Sequence, residues 1–124
     1  MPNPNTKADF GQLDSTLHRG AFHVNIVAPA DGTYDIALES PGEATITEIV
    51  AKTASGTCTI ETRIDNVGVT VTGSVVTMSI TSTKNNKAAI GTNAIGQDSR
   101  LTLVVSASAA PTSLALTIHY TRTG

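Results

Sequence analysis

The last long apolar stretch of the chain decides the fold class. It reads Leu114-Ala115-Leu116-Thr117-Ile118-His119-Tyr120-Thr121. Large apolar side chains occupy the even positions, and small or polar side chains occupy the odd ones. Successive side chains of a β-strand point to opposite faces, so this period of two predicts a strand with one face towards a core and one face outwards.

The same alternation recurs towards the N-terminus. It predicts about eight strands, over residues 22–28, 33–39, 43–53, 57–64, 67–71, 75–82, 99–107 and 113–121. Turn residues separate them at the spacing of an all-β sandwich, as in Asp31-Gly32, Pro41-Gly42 and Ser55-Gly56. We therefore predict an all-β fold: an antiparallel two-sheet β-sandwich, jelly-roll-like, with an extended N-terminal arm.

Two places depart from regular alternation. In the third strand, Ala44 and Ile46 share one parity while Ile49 and Ala51 share the other, so we predict a β-bulge near residues 47–48. Residues 84–87 (Lys-Asn-Asn-Lys) are typical of a turn, and the segment from 88 to 98 is irregular. We expect its two isoleucines, Ile90 and Ile95, to close one end of the sandwich.

The first twenty residues differ from the rest of the chain. They contain two prolines and scattered apolar residues without a period of two. Residues 1–20 are therefore predicted to form an extended arm, and residues 21–124 the sandwich domain. An arm with so few apolar residues is expected to rest on another surface.

Composition excludes several classes of protein. Aromatic residues are 3% and charged residues 15% of the chain, and the formal charge is −2. We therefore expect no broad nucleic-acid surface and, without a long apolar run, no membrane span. The N-terminus lacks the pattern of a signal peptide. Twenty residues are Thr, and outward rows of Thr cost less to desolvate than charged rows, which favours packing against a neighbouring surface.

No catalytic or metal-binding pattern stands out. The three histidines, His18, His23 and His119, match no metal-ligand spacing and have no partner at a recognisable spacing for a catalytic triad. Cys58 is the single cysteine and falls on an inward row, so we predict a core residue. We expect no catalytic residue, no cofactor and no metal, and thus no enzyme.

From Asp31 to Arg122 the chain resembles a β-sandwich domain of structural proteins of tailed bacteriophages, as found in fibres, head spikes and capsid decoration proteins. Residues 42–59 (GEATITEIVAKTASGTCT), 99–106 (SRLTLVVS) and 114–122 (LALTIHYTR) carry the resemblance. The chain departs from the pattern after the Cys58 strand, where Asp65-Asn66-Val67-Gly68 stands in place of an Asn-Gly hairpin.

The resemblance implies a virion building block, with no catalytic residue to carry over. We expect a capsid decoration (cement) protein, a homotrimer made in the bacterial host cytoplasm and placed on the capsid surface. Its partners would be copies of itself and the major capsid protein. The arm would bind the capsid through Asn3, Asn5, Lys7, Phe10, Leu13, Leu17 and Arg19.

Two alternatives stay open. One is a receptor- or glycan-binding module of a short fibre or head spike, with loop contacts at Asp65, Asn66, Lys84, Asn85, Asn86 and Asn93. Tyr34 and Tyr120 fall on inward rows, so no aromatic platform for a sugar is predicted, which weighs against this alternative. The other is a component of the phage tail or neck.

Overall fold

The computed structural model describes residues 18–37, 43–96 and 98–122, and all regular structure in this part of the chain is β-strand. There are eleven strands: β1 (His18–Val27), β2 (Gly32–Ala37), β3 (Ala44–Thr53), β4 (Thr57–Ile64), β5 (Val67–Gly68), β6 (Thr70–Val71), β7 (Thr77–Ile80), β8 (Asn85–Gly91), β9 (Ala94–Ile95), β10 (Leu101–Ala109) and β11 (Ser113–Arg122).

The strands form two antiparallel sheets that pack face to face. One sheet has the order β1-β11-β3-β8-β6, with β9 also paired to β3, and the other has the order β2-β10-β4-β5, with β7 also paired to β4. The eight longest strands thus lie as β1-β11-β3-β8 in one sheet and β2-β10-β4-β7 in the other, which is the strand order of a jelly roll. The predicted fold class, an antiparallel two-sheet sandwich of jelly-roll type, is confirmed.

The core lies between the sheets and is built from the inward rows that the sequence pattern indicated. On β11, Leu114, Leu116 and Ile118 are at most 2% exposed. The alternation therefore has its usual cause, since each inward aliphatic side chain is removed from water while the outward Thr and Ala side chains are not. Cys58 is buried in this core as a free thiol, as predicted.

The predicted bulge is present in β3. Ile46 pairs with Tyr120 and Glu48 pairs with His119, so Thr47 has no opposite residue on β11. Because the extra residue reverses the alternation of inward and outward side chains, Ile46 before the bulge and Ile49 after it both face the core and are buried.

Three predictions along the chain were wrong. Residues 85–87 form the start of strand β8, which pairs with β3, and do not form a turn. Ile90 is 56% exposed on the outer row of β8, whereas Ile95 is buried as expected. The predicted strand 67–71 is two short strands, β5 and β6, which belong to different sheets.

The sandwich has two ends, which differ in the loops they carry. The arm end is the end at which β1 and β3 begin and β11 ends. The turn at 65–66 is also there, where the Asp65 N–H donates to the Arg100 carbonyl and the Arg100 N–H donates to the Asp65 carboxylate. The far end carries the connections at 28–31, 54–56, 81–84 and 110–112. Residues 18–20, which the sequence pattern placed in the arm, form the start of β1. The residues that join the sandwich at the arm end are therefore 1–17.

Candidate functional site

A cluster of polar side chains surrounds the β3 bulge near the arm end. His119 on β11 lies opposite Glu48 on β3, and the distance from His119 Nε2 to Glu48 Oε1 is 4.0 Å. The other carboxylate oxygen accepts a 2.9 Å hydrogen bond from Asn86 Nδ2 on β8. The bulged residue, Thr47, donates its hydroxyl to the carbonyl oxygen of His119 at 3.3 Å. We call Thr47, Glu48, Asn86 and His119 the bulge cluster.

The bulge cluster is exposed, which limits its chemistry. The side chains of His119 and Glu48 keep 46% and 39% of their accessible surface. Solvent screens electrostatic interactions between side chains this exposed, so the contact contributes at most about 1 kcal/mol. The one hydroxyl in the cluster, that of Thr47, bonds to a backbone carbonyl and not to the His119 ring. This arrangement suits contact with a polar partner and lacks the nucleophile–base pair of an acyl-transfer site.

Two open depressions lie at the arm end, on the outer face of the β1-β11-β3 sheet. One encloses about 350 Å³ beside the bulge cluster, and the other about 330 Å³ beside β9. Thr121 on β11 lines both, so the two depressions are neighbours on this surface. The first is lined by Arg19, Gly20, Thr47, Glu48, His119, Tyr120 and Thr121, and the second by Glu43, Ala44, Thr45, Ala94, Ile95, Gly96 and Thr121.

The predicted arm residues fall mostly outside the described residues. Asn3, Asn5, Lys7, Phe10, Leu13 and Leu17 all do. Arg19 is described: it lies on β1 opposite Thr121, is exposed, and lines the depression beside the bulge cluster.

The six predicted loop contacts do not form one surface. Asp65 and Asn66 occupy the turn after β4, at the arm end, where both have positive φ (51° and 70°), as in a type I′ hairpin turn. Asn93 is also at the arm end, because its carbonyl accepts the backbone N–H of Ile46. Lys84 precedes β8 at the far end, and Asn85 and Asn86 begin that strand.

Most of these loop contacts are engaged within the protein. Asp65 Oδ1 accepts the backbone N–H of Arg100 at 3.0 Å. Asn85 donates to the carbonyl of Ser79 at 2.9 Å, which ties β8 to β7 in the opposite sheet, and Asn93 donates to the carbonyl of Ile46 at 2.7 Å. The side-chain amides of Asn85 and Asn93 therefore hold strands together. This structural role explains asparagine at both positions, and no bound ligand is needed to explain it.

Two titratable groups have shifted pKa values, and both are explained by the fold. Hydrogen bonds from the Ser108 side chain (2.6 Å) and backbone N–H (3.0 Å) hold the pKa of Asp31 below its ordinary value. They fasten the β1–β2 connection to β10. Burial raises the pKa of the Cys58 thiol, with a smaller contribution from the charge of Asp31. A raised pKa keeps this thiol protonated and unreactive.

Nothing in residues 18–37, 43–96 and 98–122 points to a metal site. No group of three or more His, Cys, Asp or Glu side chains lies close enough there to hold an ion. The same residues include no helix long and apolar enough to cross a membrane.

The bulge cluster is the part of this surface that sequence reasoning missed. The sequence pattern located the bulge and placed His119 on an outward row. It contained no signal that β3 lies between β11 and β8, and this strand order is what brings Glu48, His119 and Asn86 together.

Comparisons with known proteins show a similar fold but assign the chain to no family. No family model matches the chain, and no curated protein matches it. A chain of the acidic stable capsid structure of Helicobacter pylori bacteriophage KHP30 is similar in fold, with a TM-score of 0.57 and 9% identity over 86% of this chain and 89% of that chain.

Two further solved structures match less well. A chain from infectious bursal disease virus strain Gx has a TM-score of 0.42 and 13% identity, covering 85% of this chain and 31% of that chain. The C-terminal domain of EclA, a sugar-binding protein, has a TM-score of 0.46 and 13% identity, covering 85% of this chain and 79% of that chain.

Proposed function

We propose that this chain is a non-enzymatic structural protein of a virion, and that it decorates the outer face of a phage capsid. The observation that carries the proposal is the fold match to a chain from a bacteriophage capsid structure, which extends over 86% of this chain and 89% of the other. The outward row of β11, in the middle of its sheet, is rich in small uncharged side chains, with Ala115, Thr117 and Thr121. Such a surface suits close packing against other protein.

In this proposal the arm makes the capsid contact. Residues 1–17 join β1 at the arm end, beside the bulge cluster and the two depressions. Arg19 and the bulge cluster would then form the base on which the sandwich sits, while Asn3, Asn5, Lys7, Phe10, Leu13 and Leu17 would lie across the major capsid protein. We propose a homotrimer, since the three arms of one trimer would together bind the capsid strongly even if each arm binds weakly.

The test is removal of residues 1–17, which leaves all of β1 in place. We expect the truncated protein to keep its β-sheet circular dichroism and its melting temperature, and to lose binding to capsids that lack the native protein, measured by co-sedimentation. The matched control replaces residues 1–17 with a Gly/Ser segment of equal length. Normal capsid binding by the truncated protein would refute the role of the arm.

The alternative is a glycan-binding head-spike or short-fibre module. Its six predicted contacts are divided between the arm end and the far end, and most bond within the protein, so they do not support a single sugar site. A glycan array probed with the purified full-length protein separates the two functions. Saturable binding to one sugar class would favour the alternative over decoration.

A tail or neck component would use the same fold at a different position in the particle. Gold labelling of the protein in intact particles distinguishes the positions. The decoration proposal requires label over the whole head, and label confined to the tail or neck would refute it.

A further inference from the structure

One row of cross-strand neighbours runs through both depressions at the arm end. Arg19 on β1 lies opposite Thr121 on β11, Thr121 lies opposite Thr45 on β3, and Thr45 lies opposite Ala94 on β9. Each of the four lines a depression, and Thr121 lines both. Neighbouring strands are about 4.8 Å apart, so Ala94 lies about 14 Å from Arg19. The whole surface is therefore close to the strand that residues 1–17 join.

The depressions exist because the side chains that line them are small. The one beside β9 is formed largely by Ala44, Ala94, Gly96 and two threonines, with the buried Ile95 beneath. At about 330 and 350 Å³, each depression is larger than one leucine or phenylalanine side chain. Each can therefore receive a large apolar side chain from a segment that crosses the strands.

Residues 1–17 carry such side chains near their junction with β1. After Met1, the large apolar residues of this segment are Phe10, Leu13 and Leu17. An extended chain spans about 3.3 Å per residue, so Phe10 reaches about 26 Å from His18, and Leu13 about 16 Å. Both reaches exceed the extent of the surface, so the segment is long enough to turn back over the depressions.

The charges of the segment and of the surface occur in matching order. In the described part of the chain, the side chains of Arg19 and Glu43 are exposed and make no ion pair or hydrogen bond. Arg19 lines the depression nearer β1, and Glu43 lines the one beside β9. In residues 1–17, Asp14 is near β1, Lys7 is the single Lys or Arg and is further away, and Asp9 lies between them. Asp14 can thus face Arg19 while Lys7 faces Glu43.

We propose that in the free protein residues 7–17 fold back over the arm end of the same chain, with Leu13 in the depression beside the bulge cluster and Phe10 in the one beside β9. The tether favours the same chain as the source, because a short linker gives an effective concentration in the millimolar range. The inference rests on the proposed function and adds regulation to it. The segment and the surface shield each other, and the capsid has to displace the segment to bind either.

Tryptophan fluorescence of the full-length protein tests the docking. The chain contains no tryptophan, so Phe10→Trp introduces a single reporter. We expect blue-shifted emission from this variant, measured without capsids, and an acrylamide quenching constant at least threefold lower than that of Asn3→Trp. The Asn3→Trp variant is the control, since residue 3 belongs to the same segment but lies outside the docked residues. Both values should be independent of protein concentration.

A second substitution tests where the segment rests. Thr121→Arg, added to Phe10→Trp, places a long charged side chain in both depressions. Ala115→Arg is the matched control, because Ala115 lies on the same outward row of β11 and lines neither depression. We expect Thr121→Arg to raise the quenching constant to the Asn3→Trp value and Ala115→Arg to leave it unchanged, with sheet content intact in both. Ala94→Arg, which blocks the depression beside β9, replaces Thr121→Arg if that variant unfolds.

Three results overturn the proposal. Equal quenching of Phe10→Trp and Asn3→Trp means that the segment is not docked in the free protein. Shielding that disappears on dilution means that it docks on a second copy, and shielding that survives the blocking substitution means that it rests elsewhere. None of these measurements contains a capsid, so loss of capsid binding on removal of residues 1–17 supports the proposed function whichever result is obtained.

Discussion

At the residue scale, two buried hydroxyl groups in the described part of the chain lack hydrogen-bond partners. Thr62 and Thr102 are each 2% exposed, and neither Oγ1 makes a hydrogen bond. Burying an unsatisfied hydroxyl is unfavourable, and valine has nearly the same shape without it. We therefore expect Thr62→Val and Thr102→Val each to raise the free energy of unfolding by about 1 kcal/mol, measured by chemical denaturation.

The matched control is Thr53, which is 1% exposed and donates its hydroxyl to the carbonyl of Gly56 at 2.7 Å. Thr53→Val should lower the free energy of unfolding by roughly 1 to 2 kcal/mol, because it breaks a bond that is made. Destabilisation by all three substitutions to a similar degree would show that the hydroxyls of Thr62 and Thr102 are satisfied.

Asp31 gives the protein a pH dependence with a definite sign. Its pKa is lowered in the folded protein by the Ser108 hydrogen bonds, so its stabilising contribution is present above the ordinary value of 3.8. That contribution is lost as the pH falls through the lower, folded-state pKa. We expect Asp31→Asn to lower the melting temperature at pH 7 and to have a much smaller effect near pH 2. An equal decrease at both pH values would contradict the role of the carboxylate charge.

At the element scale, alternation predicted strands only where an inward apolar row exists. It located β3, with its bulge, and β11, because Ile and Leu fill their inward positions. It failed for β8, whose inward side chains include Asn85, Lys87 and Ala89 and are only half-buried beside the two-residue edge strand β6. Strand β8 is held by its ladder to β3 and by the Asn85 bond to Ser79, and neither leaves a periodic signal in the sequence.

The bulge itself yields a prediction about deletions. Removing Thr47 would restore strict alternation from Ala44 to Ala51 and regular pairing of Ile46 and Glu48 with β11, so both halves of β3 would still face the core. We expect this deletion to fold and to cost on the order of 1 kcal/mol in unfolding free energy.

Deleting Val50, three residues further along the same strand, should prevent folding. That deletion reverses the parity of Ala51 and Thr53, both of which are buried. Circular dichroism and the melting temperature of the two deletion variants provide the measurement. If both variants fold equally well, or neither folds, the bulge does not set the register of β3.

At the scale of the whole molecule, strand order is what the sequence could not predict. Nothing in the alternation states that the first strand, β1, pairs with the last strand, β11, since such pairing depends on which edges meet in the folded chain. The order determines two features: the bulge cluster, and the position at which residues 1–17 join the sandwich. The sequence therefore indicated which types of residue the candidate surface contains, but not where in the fold that surface lies.

The pairing of the terminal strands also predicts a circular permutant. His18 lies opposite Arg122, so a short Gly-rich turn can join them, and new termini can be opened in the exposed connection at residues 81–84 at the far end. All strand pairings are kept, so we expect the permutant of residues 18–122 to retain the sheet content and fold of the parent, measured by circular dichroism.

Residues 1–17 can then be attached to the new N-terminus of this permutant, so that they leave from the far end. If attachment requires the arm and the surface beside the bulge cluster together, this protein should be folded and should bind capsids at least tenfold more weakly than the parent in co-sedimentation. A permutant that carries residues 1–17 at the arm end, inserted within a longer joining turn, is the control. Equal binding by the two permutants would mean that the sandwich serves as a carrier for the arm and takes no part in the contact.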